Sequence, residues 1–184
     1  MALSEMERKR TEKINGVVYD MSPSPNFQHG IINGNIFKKI GYGLQDSLCL
    51  VFMENLDFKY NPKENDDYVC PDVMVICDRK HLKGGSYSGV PKFIAETLSP
   101  STAKKDKTEK KDIYETAGVP EYWVVSPQGS VEIYYLENGK YVLEQSYMLQ
   151  DEKDEADYNA ETVVCLREFP HITMTLEEIF AGLK

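Results

Sequence analysis

The stretch FIAETLSPSTAKKDKTEKKDIYETAGVPEYWVV, residues 93–125, decides the fold because it contains two apolar runs separated by one helix. Residues 93–98 and 122–125 are short runs rich in aromatic and aliphatic side chains, which is typical of buried strands. Between them, Ser101 or Thr102 is placed to cap a helix that ends near Gly118, a residue suited to the turn after a helix. The stretch therefore predicts a strand, a crossover helix and a second strand.

The rest of the chain adds further strands on both sides of this unit. Asn15-Gly16 predicts the turn of a hairpin over residues 14–21, and Asn138-Gly139 predicts the turn of a second hairpin over residues 130–146. A helix is expected to begin with Ser24 as its N-cap and Pro25 at its first position, and to run to about residue 41. The remaining elements are strands at 48–53, 69–77 and 162–166, a Gly- and Ser-rich loop at 80–90, and a short C-terminal helix whose Thr175-x-x-Glu178 spacing is that of a capping box. This order predicts an α/β fold, with a mixed β-sheet flanked by helices, in one domain that spans residues 1–184.

Composition narrows the class of protein. Apolar residues make up 41% of the 184 residues, which is enough for a core, but they form no run of about 18 that would predict a membrane span. Residues 1–16 are charged and lack the apolar stretch of a signal peptide, so we expect a cytoplasmic protein. In that compartment the scattered Cys49, Cys70, Cys77 and Cys165 are expected to be buried thiols rather than a zinc site.

The charge is unevenly distributed. The formal net charge of −9 argues against a simple electrostatic nucleic-acid binder, since phosphate contacts normally use clustered Lys and Arg. The segment DEKDEADYNAE at 151–161 is strongly acidic, whereas KKDKTEKK at 104–111 carries five lysines against two acids. A local basic rim therefore remains compatible with the sequence.

Two carboxylates interrupt apolar strands. Asp72 follows Pro71 in VCPDVMVIC, and an ionised carboxylate in such a segment is costly without a partner or a metal. Its alternative is a solvent-facing residue on an edge strand. Glu96 shares one strand face with Ile94 and Leu98, so it is expected to have a partner, and a structural ion pair is the alternative to a functional role.

Lys110 connects these acids to the crossover helix. At about 100° per residue, one stripe of that helix collects Asp106, Lys110, Tyr114 and their apolar neighbours, and a stripe that faces a core normally excludes lysine. Lys110 is therefore expected to face an anionic group. A surface pair between Asp106 and Lys110, four residues apart, is the alternative explanation.

Two carboxylates and an ammonium at a junction of two strands and a helix suit phosphodiester hydrolysis. Carboxylate oxygens hold Mg²⁺ or Mn²⁺, which lowers the pKa of a bound water, and a lysine offsets the charge that develops on phosphorus. The sequence has no GxSxG, Walker, GxGxxG or HExxH motif that would indicate another chemistry. His29, His81 and His171 are too far apart in sequence to indicate a histidine-based zinc site.

Several motifs in order resemble one known family. PDVMV at 71–75, FIAETLSPST at 93–102, Asp106 with Lys110, and YETAGVPEYWVVSP at 114–127 are similar to the Uma-type putative restriction endonuclease family of the PD-(D/E)XK nuclease superfamily. INGVVYDMSPSPNFQHGIINGNIF at 14–37, which includes His29, resembles the opening of that family. The similarity covers roughly residues 12–145.

This resemblance implies a restriction-endonuclease-like core and a set of site residues. Asp72 matches the aspartate of the PD motif, and Glu96 matches the acidic residue of the second motif, so both are the expected ligands of Mg²⁺ or Mn²⁺. The lysine expected two residues later is Leu98 here, and Lys110 on the helix takes its place. His29 is a further ligand, a proton carrier or a capping or core residue, and Asp106 is a candidate catalytic residue.

The function expected from these residues is metal-dependent endonucleolytic hydrolysis of DNA. The alternative is a catalytically weak or inactive nuclease-like module for binding or assembly, which the acidic charge and Leu98 favour. Hydrolysis of another phosphoester is a third reading. A homodimer would suit the cutting of both strands of a duplex, because that needs two sites and two-fold symmetry is the commonest arrangement, but the sequence alone does not require one.

Overall fold

The computed structural model describes residues 10–21, 26–153 and 155–183. Short β-strands and four α-helical segments alternate along these residues. In chain order they are β1 (Thr11–Ile14), β2 (Val17–Asp20), α1 (Phe27–Gly43), β3 (Leu50–Met53), β4 (Asp57–Phe58), β5 (Val73–Ile76), β6 (Leu82–Lys83), β7 (Ser86–Tyr87), β8 (Phe93–Thr97), α2 (Ala103–Lys105), α3 (Lys111–Ala117), β9 (Glu121–Ser126), β10 (Ser130–Glu137), β11 (Lys140–Met148), β12 (Val163–Cys165), β13 (Thr173–Thr175) and α4 (Leu176–Phe180). A 3₁₀ turn, Arg79–His81, precedes β6, and a π-helical turn, Asp106–Lys110, joins α2 to α3.

A six-stranded sheet in the order β11-β10-β9-β8-β5-β3 forms the centre of the fold. Strands β8 and β9 are parallel, with Ile94 opposite Tyr122, and the other pairs of this sheet are antiparallel. A parallel pair needs a crossover connection, and the helical segment 103–117 supplies it. The predicted mixed sheet with one crossover helix is therefore confirmed.

The two faces of the sheet are covered by different elements, because successive side chains of a strand point to opposite sides. Val73 and Val75 of β5 pack in one cluster with α1 and α4. Met74 and Ile76 pack in the other cluster, with Tyr114 of α3, residues of β1 and the three-stranded sheet β4-β7-β6. The central strands are thus buried on both faces.

Both predicted hairpins are confirmed. Asn15 and Gly16 have φ of 51° and 76°, and Asn138 and Gly139 have φ of 51° and 79°. Positive φ at both central residues is what a two-residue type I′ turn requires, which explains the Asn-Gly pairs. The capping box of Thr175 and Glu178 also forms at the start of α4.

Two helix starts differ from the prediction. Ser24 and Pro25 lie outside the described residues, and within them α1 begins at Phe27, with the side chain of Asn26 accepting a hydrogen bond from the Gln28 N–H at 3.4 Å. Thr102 precedes α2 but makes no capping bond to it, because its hydroxyl bonds Ser99 instead. Gly118 ends α3 with φ of 83°, as predicted.

The prediction of four buried thiols was wrong. Cys49 and Cys77 form a disulfide, because β3 and β5 pair with Leu50 opposite Ile76 and the next residues outward then face each other. Cys70 is a buried thiol and Cys165 is exposed. The predicted loop 80–90 contains β6 and β7.

Within the described residues, no helix has both the length and the apolar composition needed to cross a lipid bilayer.

Candidate functional site

Three carboxylates lie in a row across one end of the central sheet. β3 pairs with β5 through Met53 and Val73, and β5 pairs with β8 through Val73 and Ala95. The next position along each strand is Glu54, Asp72 or Glu96. The Glu54 N–H donates to the Asp72 carbonyl at 3.0 Å, which continues the ladder by one residue. Strand pairing alone therefore brings the three acids together.

Asp72 is held from two sides. The Thr97 N–H donates to its Oδ2 at 2.8 Å, and His29 Nε2 lies 2.9 Å from the same oxygen. Asp72 and His29 are each 8% exposed. Burial alone would lower the pKa of His29, but the hydrogen bond and charge of Asp72, with the Glu54 charge, outweigh it and raise that pKa. The structure thus joins two residues that the sequence indicated separately.

Lys110 lies among carboxylates from three elements. Its Nζ is 2.9 Å from Glu12 Oε1 on β1, 3.0 Å from Glu96 Oε1 on β8 and 3.7 Å from Asp106 Oδ1. Burial alone would lower the pKa of this ammonium, but the charges of Glu96, Glu12 and Asp106 raise it well above its ordinary value. Lys110 is therefore a fixed positive charge in a buried position.

Glu96 depends on this ammonium. Burial raises the pKa of Glu96 well above its ordinary value, and Lys110 acts in the opposite direction. The Tyr114 hydroxyl donates to the same oxygen that Lys110 binds. The charged form of Glu96 is thus supported by two donors from the helical segment 103–117.

Asp106 has one buried oxygen without a hydrogen bond. The residue is 2% exposed, and its Oδ1 finds no hydrogen-bond partner among the described residues. Burial raises the pKa of Asp106, and the Lys110 charge opposes this effect. A buried orphan acceptor is rare and indicates strain, an ion or a functional role. Asp106 begins the π-helical turn, and such turns occur frequently at functional sites.

Glu54 and Glu12 belong to the site but were not predicted from the sequence. Glu54 directly follows the apolar run LVFM, and Asp72 directly precedes the apolar strand Val73–Ile76. A prediction that these two strands pair antiparallel would have placed Glu54 beside Asp72. Glu54 has φ of 53°, an uncommon value for a residue other than glycine. Glu12 and Ile14 both lie on the buried side of β1, which begins at Thr11. Because the hairpin was predicted to begin at Ile14, Glu12 was not assigned to a strand and its burial was not predicted.

All five predicted site residues line one cavity of about 590 Å³. Its wall carries six carboxylates, Glu12, Asp20, Glu54, Asp72, Glu96 and Asp106, against three cationic side chains, Arg10, Lys105 and Lys110. An excess of buried carboxylate is stabilised by a cation.

One group of side chains has the composition of a cation site. Among the residues the structure describes, His29, Glu54 and Asp72 each offer one ligand atom, and these atoms lie within 4.8 Å of one another. Carboxylates and imidazole suit Mn²⁺, and carboxylates suit Mg²⁺. Asp72 belongs to the predicted metal pair, whereas the Glu96 carboxylate is bound by Lys110 and Tyr114. The residues present therefore fit a divalent cation, and the orphan oxygen of Asp106 belongs to a residue that lines the same cavity.

The basic rim that the sequence left open, the lysines of 104–111, is largely paired with acids and an aromatic ring of the same chain. Lys105 Nζ lies 3.1 Å from Glu12 and Lys107 Nζ lies 2.6 Å from Glu132. The ammonium of Lys111 lies 3.8 Å from the ring centroid of Tyr134. The lysines of 104–111 therefore contribute less to a surface for phosphate than their number suggests.

Two curated relatives have sequence similarity to this chain. "Uncharacterized protein slr1290" of Synechocystis sp. is 28% identical over 129 residues, which are 70% of this chain and 66% of that protein. "Uncharacterized protein sll1609" of the same organism is 28% identical over 116 residues, or 61% of this chain and 64% of that protein. The chain thus spans slightly less than two thirds of the length of these relatives.

A solved structure shares the fold. The crystal structure of a "putative nuclease belonging to DUF820" from Anabaena variabilis aligns with a TM-score of 0.70, covering 95% of this chain and 91% of the other at 18% identity. The α/β architecture predicted from the sequence is therefore that of a solved protein.

The family model described as "Uma2: Putative restriction endonuclease" matches residues 1–161, which is most of the chain. The family that the motifs resemble is thus confirmed, and the chain belongs to the Uma2 family.

Proposed function

We propose that this protein is a divalent-metal-dependent endonuclease that hydrolyses phosphodiester bonds of DNA. The observation that carries the proposal is the row Glu54, Asp72 and Glu96 in one cavity, with a buried lysine on one side and a buried histidine on the other. Membership of the Uma2 family supports it.

Each side chain has a role in the proposed reaction. Asp72 and Glu54 would hold Mg²⁺ or Mn²⁺, with His29 in reach of the same position. The bound ion would supply a water of lowered pKa and neutralise charge on the phosphate. Lys110 is held in place by Glu96 and Glu12. Its positive charge would stabilise the negative charge that develops on the phosphate oxygens in the transition state. Asp106 Oδ1, which has no hydrogen-bond partner among the described residues, lies 3.7 Å from the Lys110 ammonium and adds to the negative charge around it.

Plasmid nicking tests this proposal. Wild-type protein with supercoiled plasmid and Mg²⁺ or Mn²⁺ is expected to produce nicked circles. Asp72→Asn or Glu54→Gln is expected to lower the rate by at least about 100-fold, since even indirect partners of metal ligands cost 10- to 100-fold. Asp78→Asn is the matched control, because Asp78 lies beyond the other end of β5 and pairs with Lys80 at the surface. No nicking by the wild type, or nicking that survives Asp72→Asn, would refute the proposal.

A second candidate is a nuclease-like module that binds or assembles without cutting. One observation favours it: both close contacts of Lys110 are carboxylates at 3.0 Å or less, and Lys105 and Lys107 are also paired with acids. Calorimetry with Mn²⁺ distinguishes the two candidates. Heat that disappears in Asp72→Asn supports the nuclease, and an absence of heat in the wild type supports the module.

A further inference from the structure

A second cavity lies next to the candidate metal group. This side cavity has a volume of about 460 Å³, which is within the range of pockets that hold small ligands. Arg10, Met21 and Glu54 line the side cavity and also line the cavity of the candidate site. A ligand group in the side cavity would therefore lie directly beside Glu54.

The charges of the side cavity do not suit a phosphate group. Its wall carries the carboxylates of Glu54 and Asp57 against one cationic side chain, Arg10. The Arg10 guanidinium already has partners, because its Nη1 lies 3.5 Å from Glu54 Oε2 and its Nη2 donates to Cys70 Sγ at 3.2 Å. An anion would therefore meet net repulsion. The side cavity suits an uncharged group.

Asp57 offers that group a hydrogen-bond acceptor. It begins β4, where the next residue, Phe58, is buried in the core, and Asp57 faces the side cavity. No hydrogen bond to the Asp57 carboxylate is formed within the part of the chain that the structure describes. Burial raises the pKa of Asp57, and the charges of Arg10 and Lys59 act in the opposite direction. N–H donors from a ligand would stabilise its ionised form.

Uncharged side chains complete the wall of the side cavity. Asn55 contributes an amide, and Thr11 and Tyr68 contribute hydroxyl groups that lie 2.6 Å apart. Met21 adds a polarisable apolar side chain. Apolar surface with a few placed polar groups is the usual composition of a pocket for a small organic ligand. A flat heterocycle with a hydrogen-bonding edge fits this wall.

We propose that the side cavity binds one unpaired nucleobase, and that Asp57 accepts N–H bonds from the edge of that base. The placement of this base beside the phosphodiester that is cut rests on the proposed function. A base that is bound by its Watson–Crick edge is not paired at the same time. The substrate class is therefore single-stranded or locally opened DNA.

The acceptor also determines which base binds best. Guanine presents two adjacent N–H donors on its Watson–Crick edge, which match the two oxygens of the Asp57 carboxylate. Thymine presents one N–H between two carbonyls, and these carbonyls would be repelled by Asp57. Guanine is therefore the preferred base of the side cavity.

Nucleosides test the side cavity without metal, phosphate or cleavage. The full chain, labelled with ¹⁵N and with ¹³C in its methionine methyl groups, is titrated with deoxyguanosine and separately with thymidine in nuclear magnetic resonance experiments. Deoxyguanosine is expected to shift the Asn55 side-chain N–H and Met21 methyl signals and to bind about tenfold more tightly than thymidine, as is usual for hydrogen bonds to a charged group. No shift at these groups, or equal affinity for both nucleosides, would overturn the proposal.

A variant tests the role of Asp57. Asp57→Asn keeps the size of the side chain and replaces one acceptor oxygen by an NH₂ group, so deoxyguanosine is expected to bind about tenfold more weakly. Asp78→Asn is the control, because Asp78 pairs with Lys80 at the surface and does not line the side cavity. Wild-type affinity in Asp57→Asn would contradict the proposal. The comparison of nucleosides on the wild type is decisive even if this variant does not fold.

Cleavage tests the substrate class. A single-stranded oligonucleotide with Mn²⁺ is expected to be cut at least about tenfold faster than its duplex, because opening a base pair costs free energy. Equal rates would contradict the placement of an unpaired base beside the cut. No cleavage of either substrate would refute the proposed function, and the nucleoside titration would still decide whether the side cavity binds a base.

Discussion

Two buried glutamates occupy opposite ends of neighbouring parallel strands. Glu96, near the carboxyl end of β8, is 1% exposed, and Glu121, at the amino end of β9, is fully buried. Glu121 accepts one hydrogen bond per oxygen, from Trp123 Nε1 at 2.8 Å and from the Arg167 N–H at 2.9 Å. Glu96 is bound by Lys110 and Tyr114, and it lines the cavity with five other carboxylates.

The difference shows that burial of a carboxylate does not by itself indicate a functional site. Neutral N–H groups bind both oxygens of Glu121, so each oxygen has a hydrogen-bond partner among the described residues. Glu96 shares the Lys110 ammonium with Glu12, and one oxygen of the neighbouring Asp106 has no hydrogen bond among the described residues. The candidate site thus differs from Glu121 in that several carboxylates lie together with too few cationic side chains to balance their charge.

The largest expected effect comes from removing the shared ammonium. Lys110→Met should lower the free energy of unfolding by about 3–5 kcal/mol, because Glu96 and Glu12 would remain buried without their cation. Urea unfolding at neutral pH measures it. Adding Glu96→Gln to Lys110→Met should recover part of the loss. A loss below about 1 kcal/mol for Lys110→Met would mean that Glu96 behaves like Glu121.

The second effect is a pH dependence that belongs to Glu121. Burial raises the pKa of Glu121 to about 7 from 4.5, although the Arg167 N–H and Trp123 act in the opposite direction. The folded state then binds this proton more tightly than the unfolded state. Its contribution to stability is therefore full below pH 4.5 and falls as pH rises to about 7, by about 3 kcal/mol in total.

Glu121→Gln removes this titrating group. The difference in unfolding free energy between wild type and variant should change by that amount across the window, beyond a constant offset for the one hydrogen bond, to Trp123 or to Arg167, that the glutamine NH₂ group cannot accept. Denaturant unfolding at a series of pH values measures it. A difference that stays constant with pH would show that the two N–H donors keep Glu121 ionised throughout.

The smallest effect is expected at an exposed ion pair beside the site. Lys107 and Glu132 have side chains that are 43% and 21% exposed. Lys107→Met should change the unfolding free energy by no more than about 1 kcal/mol, as is usual for surface pairs. This variant is matched to Lys110→Met in residue type and helix. Equal losses for the two lysines would remove the distinction between buried and surface charge.

The sequence predicted those features that depend only on residues close together in the chain, such as strand and helix patterns. Residues 93–125 indicated the crossover, and the stripe on its helix placed Lys110 towards an acid, which is where its Nζ lies. The alternative of an exposed Asp106–Lys110 pair is excluded, since both residues are buried. Asp72 could be predicted as a site residue because it is a carboxylate within the apolar run VCPDVMVIC.

The remaining features depend on the register between distant segments. Glu54 faces Asp72 because β3 pairs with β5, and the Cys49–Cys77 disulfide follows from the same register. Glu12 reaches Lys110 across nearly 100 residues of sequence. Such pairings reflect packing of the whole sheet rather than local propensity, and so the sequence pattern did not indicate them.

The π-helical turn has a consequence for insertions and deletions. A π turn holds one residue more than an α turn would in the same place, and each residue of an α-helix turns the chain by about 100°. Deleting one residue between 106 and 110 would restore a regular α-helix, and the helical turns on either side would keep nearly their present relative orientation. The displacement would fall on the turn itself, which carries Asp106 and Lys110. A chain one residue shorter here would therefore have to rebuild the contacts of Lys110 with Glu12 and Glu96.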